Sequence, residues 1–62
     1  MPEIVWYSAA IVAPWHGARV VARGIHRGIH YQEEAHYREG HFYSVVNESE
    51  LTGVIEWRLC YT

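Results

Sequence analysis

"YQEEAHYRE", residues 31–39, decides the fold. Read with a helical period, these are good helix formers. Glu34 and Arg38 then make an i,i+4 pair contributing about 0.2–0.5 kcal/mol. Two turns of helix without a continuous apolar stripe are marginal in water, however. Read with a period of two, Ile29, Tyr31, Ala35 and Tyr37 share one face, interrupted by Glu33. His30, Gln32, Glu34 and His36 take the other. The alternating reading gives a strand and an all-β chain; the rival reading adds one short helix at 31–39.

Just upstream, "GIHRGIHYQ" (24–32) carries Gly24 and Gly28 four residues apart. Each would cost a helix interior about 1 kcal/mol against alanine, so the pair is better placed at a turn and a bulge. "RVVAR" (19–23) before it is short and β-prone, and "APWHGA" (13–18) is a loop punctuated by Pro14 and Gly17. "EIVWYSAAIVA" (3–13) is rich in β-branched and aromatic residues, which predicts a strand rather than a helix begun at Pro2. Both of its faces are apolar, as in a strand covered on two sides.

Downstream, "HFYSVV" (41–46) is a strand and "NESELTG" (47–53) a turn. In "VIEWRLCY" (54–61), Ile55, Trp57, Leu59 and Tyr61 alternate with Val54, Glu56, Arg58 and Cys60. One face is core and the other wet. The expected architecture is a single mainly β domain over 1–62, an antiparallel meander of four to five strands.

Sixty-two residues form a small core of marginal stability. The lone Cys60 permits no internal disulfide and fits a reducing compartment. Support must come from the 15% aromatic content, from a partner protein, or from a second copy in a homodimer. The apolar run Ile4–Ala13 is too short to cross a bilayer, which needs about 20 residues. It also lacks the basic flank of a signal peptide. The expected location is cytoplasmic, with no membrane partner.

Net charge is −2, and its sign changes along the chain. Residues 1–31 hold three arginines against Glu3, giving +2; residues 32–62 hold six glutamates against two arginines, giving −4. A two-signed molecule suits a charged protein surface better than phosphates, whose affinity scales with the cations supplied.

Five histidines, with Cys60 and the glutamates, contain the ligand types of a zinc site, so spacing is the test. His26 and His30 lie about 13 Å apart on a strand, too far to share an ion. In "HYREGH" (36–41) the turn decides. A three-residue loop at Arg38-Glu39-Gly40 sets Tyr37 opposite His41 and puts His36 and His41 on opposite faces. A two-residue turn at Glu39-Gly40 sets Arg38 opposite His41, with the two imidazoles diagonal and about 7 Å apart at the backbone. Glutamate at the positive φ of a two-residue turn is unfavourable, so the longer loop is expected and no metal or other cofactor is assigned. Serines without a nucleophile-elbow context and a near-terminal cysteine nominate no catalytic residue. Gly24–Gly28 lacks the lysine and Ser/Thr of a phosphate loop. The chain reads as non-enzymatic.

Arginine, tyrosine and tryptophan are the residue types that dominate protein interfaces. The candidate partner-binding residues are Arg19, Arg23, Arg27, Tyr31, Tyr37, His41 and Tyr43. The same arginines beside aromatic rings would serve a single-stranded nucleic-acid binder, the second reading. A histidine-based metal domain is the third.

Residues 36–60 carry an aromatic-x-x-Gly-x-aromatic hairpin (Tyr37, Gly40, Phe42), then a polar turn and Gly-Val-x-x-Trp with a following leucine (Gly53, Val54, Trp57, Leu59). This resembles the end of small phage and prophage domains. Glu56 stands where those domains have histidine, and their closing proline is absent. The resemblance implies a mobile-element origin and a β-rich fold. In size and lack of enzymatic motifs the chain is also similar to phage anti-CRISPR and other counter-defence proteins, which implies an inhibitor that occludes a surface of a larger, nucleic-acid-guided host complex.

Overall fold

The computed structural model describes residues 5–60. Glu3, Ile4 and Tyr61, assigned to strands from the sequence, lie outside that range. Six strands form one antiparallel sheet: β1 (Tyr7–Ser8), β2 (Arg19–His26), β3 (Ile29–Arg38), β4 (His41–Ser44), β5 (Glu50–Leu51) and β6 (Val54–Leu59). The described residues contain no helix. Residues 31–38 belong to the longest strand, so the period-two reading of "YQEEAHYRE" prevails over the helical one. Glu34 is paired with Arg19 across the sheet rather than with Arg38.

The order is β1-β6-β2-β3-β4-β5. Strands β2, β3 and β4 form the expected meander; β5 lies inside 47–53, read from the sequence as a turn, and pairs with β4. β6 then returns to pair with β2, and β1 adds at its far side. This return forces curvature. In a flat sheet β5 and β6 would lie four strand spacings apart, about 19 Å. The two-residue link Thr52-Gly53 spans about 11 Å at most. The sheet therefore curls without closing, and the link crosses beneath β2, where Gly53 O accepts from Ile25 N at 3.1 Å. Gly24 makes room for it: a Cβ there would overlap the Gly53 carbonyl. At the same place the β2–β6 register slips between Arg23 and Gly24, a bulge with Ile55 as the extra residue.

The concave face is the core. Ala18, Val20, Ala22, Ala35, Phe42 and Trp57 are buried there, with Ala9, Tyr37, Leu51, Val54 and Leu59 packed around them. Three alanines among the six leave room for a sharply bent sheet. Ser44 is the buried polar side chain; its hydroxyl donates to Glu33 Oε1 at 2.9 Å and accepts from Val46 N.

Two further expectations are overturned. Residues 5–13 do not form a central strand. β1 has two residues at the sheet edge, and the chain turns at once, with Ile11 N and Val12 N bonding back to Ser8 O. Val12 O then accepts from Trp57 Nε1 at 2.8 Å, and Tyr7 stacks on Trp57 at 4.8 Å. The segment meets the core through Ala9 and these Trp57 contacts, while Val5, Ile11 and Val12 remain exposed. The 37–42 hairpin closes on two residues, not three. Arg38 pairs with His41 and Tyr37 with Phe42, while Glu39 takes φ 49 and Gly40 φ 86. The three-residue loop would have turned Phe42 away from the core. Keeping it inside, edge-on to Tyr37 at 5.0 Å, outweighs the strain at Glu39.

Candidate protein-binding surface

The pleat sends every second residue to the convex side, where charge and aromatic rings collect. Val21 lies buried in the middle of this face. Around it the β2–β3 and β2–β6 registers set arginines near glutamates. Arg19 donates to Glu34 Oε2 through Nε at 3.0 Å and Nη2 at 2.6 Å. Arg23 donates to Glu56 Oε1 from Nε at 2.9 Å. The Arg23 guanidinium also lies 3.9 Å from the Trp6 ring centroid, with that of Arg58 at 5.5 Å. Further along, Arg38 covers the Tyr43 ring at 4.5 Å. His41 Nδ1 meets Glu50 Oε2 at 2.7 Å, and its ring tilts against Tyr43 at 6.3 Å.

Of the seven residues proposed from the sequence, four share this face: Arg19, Arg23, His41 and Tyr43. Tyr31 and Tyr37 point to the concave side. Tyr37 packs on the core. The Tyr31 hydroxyl donates to Thr52 O at 2.8 Å, clamping the β5–β6 link. Burial, and then the nearby Glu33 carboxylate, push the Tyr31 phenol above its ordinary pKa. Arg27 sits at the tip of the β2–β3 hairpin, at φ 52. The sequence reading did not single out Trp6, Arg38 and Arg58, which complete the convex set. Arg38 was legible, because it continues the alternation of Glu34 and His36. Trp6 was not, because its partners come from β2 and β6.

His36 and His41 adopt the diagonal placement that the two-residue turn dictates. His41 is engaged with Glu50, and His26 Nδ1 with Thr52 Oγ1 at 2.9 Å. Among the described residues no three histidine, cysteine or acidic side chains are grouped to hold a metal ion. No helix among them is long and apolar enough to cross a membrane. Compared with family models, curated proteins and solved structures, the chain matches none of them.

Proposed function

We propose that this chain is a non-enzymatic protein-binding module that acts by occlusion. Its convex face covers a functional surface of a larger complex, in the manner of phage counter-defence proteins such as anti-CRISPRs. One observation carries the reading. Of the four arginines of this face, Arg19 is paired with Glu34 and Arg23 with Glu56, while Arg23 and Arg58 lie over Trp6 and Arg38 over Tyr43. A phosphate backbone is bound by uncommitted cations, and its affinity grows with their number. At Arg19 and Arg23 phosphate would have to displace carboxylates already in place. A protein surface of mixed sign can pair with both members of each couple. Stacked guanidinium and indole groups also lose little freedom on docking, which is where interface affinity is commonly lost.

The test is affinity capture from a nuclease-treated bacterial lysate. One stoichiometric protein complex, retained at moderate salt, is the expected result. Capture of nothing specific would sink the reading. Binding to a single-stranded oligonucleotide that weakens steeply with salt would transfer the function to nucleic acid.

A further inference from the structure

β3 is ten residues long and β4 only four, so the two part company early. Strand β4 accompanies β3 over Ala35–Arg38; then Val45 N makes one last bond to Glu34 O at 3.1 Å and the chain turns away. That bond fixes which backbone groups face outward. The backbone N–H and C=O of Glu34 point away from β2, and the β2–β3 register runs unbroken from His36 to Ile29. Alternation then sends the N–H and C=O of Gln32 and His30 outward as well. Among the described residues no strand pairs with them. Such an edge is a template for another strand.

The side chains beside this edge are unusual for one left in water. Ile29 is 70% exposed and Val46 87%. Ile29, Tyr31, Glu33 and Leu51 line an open hollow of about 310 Å³ on the concave side. Two charges here also lack ionic partners among the described residues. Glu33 bonds Ser44 but no cation among them. Arg27, unlike Arg19 and Arg23, forms no ion pair among the described residues.

These features complement one another across a two-fold axis. We propose that the free edge of β3 pairs with the same edge of a second copy, antiparallel and centred on His30. In that register the two His30 residues exchange N–H···O=C bonds. Each Ile29 meets Tyr31 of the other copy on the concave side, and each Arg27, at the hairpin tip beyond the strand, brings its long side chain within reach of Glu33 of the other copy. Gly28 falls opposite Gln32, and the hairpin tip reaches toward the exposed Val46. The contact buries the apolar groups and pairs both charges twice, with no residue outside this chain. A register shifted to Tyr31 would drive each hairpin tip into the place where Val45 leaves the sheet. The inference rests on the β3 edge and is independent of the convex face, so it stands or falls apart from the occluding role.

Sedimentation of the purified chain from micromolar to millimolar concentration tests it. The wild type shifts from monomer to dimer across that range. Arg27→Glu, at an exposed turn, weakens association about tenfold by setting like charges opposite one another, and Glu33→Arg does the same. An equimolar mixture of the two variants restores the dimer, since each copy then supplies the charge the other needs. Circular dichroism of each variant confirms that it remains folded. A wild type monomeric at millimolar concentration overturns the proposal, as does association insensitive to Arg27→Glu. Slow exchange of the His30 and Gln32 amides only in the presence of another protein would also overturn it, by assigning the edge to that protein.

Discussion

Glu39 occupies the first position of a two-residue turn at φ 49, where asparagine, aspartate or glycine is at home. Glu39→Asn is therefore expected to stabilise the chain by about 1 kcal/mol. That corresponds to a rise of about 4–8 °C in the midpoint of a thermal melt followed by circular dichroism; no rise would mean that the turn is not of this type. Tyr31 gives a prediction in pH. Its folded pKa is raised, so the neutral phenol is the form the fold prefers. The associated stability is fully present below pH about 10, the unfolded value, and is lost as pH rises from there through the folded pKa. Chemical denaturation at increasing alkaline pH should show that decline, and Tyr31→Phe should flatten it at a cost of about 1 kcal/mol near neutrality from the lost bond to Thr52 O. An equal decline in both proteins would remove Tyr31 from the explanation.

Among the elements, the crossing of the β5–β6 link beneath β2 bends the sheet, and Gly24 permits it. Gly24→Ala places a methyl group against the Gly53 carbonyl and beside the Tyr31 hydroxyl. A loss of about 1–3 kcal/mol or more is expected in denaturant unfolding; a neutral result would mean that the link does not lie there. The elements differ in how openly the sequence declares them. β3 and β6 were legible because alternation survives burial on one face, as in Trp57 and Leu59 against Glu56 and Arg58, although the bulge leaves Ile55 exposed and Val54 on the core. β2 was read only over 19–23 and runs on to His26. Gly28 was legible as a turn residue because it breaks any rival helix, whereas Gly24 lies inside β2, opposite the bulge that Ile55 makes in β6. Residues 5–13 were misread because apolar composition was taken for burial: Val5, Ile11 and Val12 stay exposed, and the segment is held instead by Ala9 against the core and by Tyr7 and Val12 O on Trp57. The 37–42 turn was misread because the local cost at Glu39 was weighed without the long-range gain of keeping Phe42 inside.

For the whole molecule, the sheet separates two jobs. The concave side holds the small core that a chain of this size needs, and the convex side presents arginine, glutamate and aromatic groups. The candidate site was only half legible for that reason. The residue types were visible, but their grouping depends on β6 returning to β2, which no local pattern announces. The arginine–glutamate couples are exposed and each contributes about 0.2–1 kcal/mol at most, so removing one should leave the fold intact while changing what the face can grip. The most direct measurement is therefore capture from lysate with the wild type beside two variants. One, Arg38→Ala with Tyr43→Ala, alters the convex face; the other, Arg27→Ala, alters the hairpin tip outside it. The account predicts one stoichiometric protein partner retained by the wild type and by Arg27→Ala and lost from the convex-face variant. A partner retained equally by all three would contradict it.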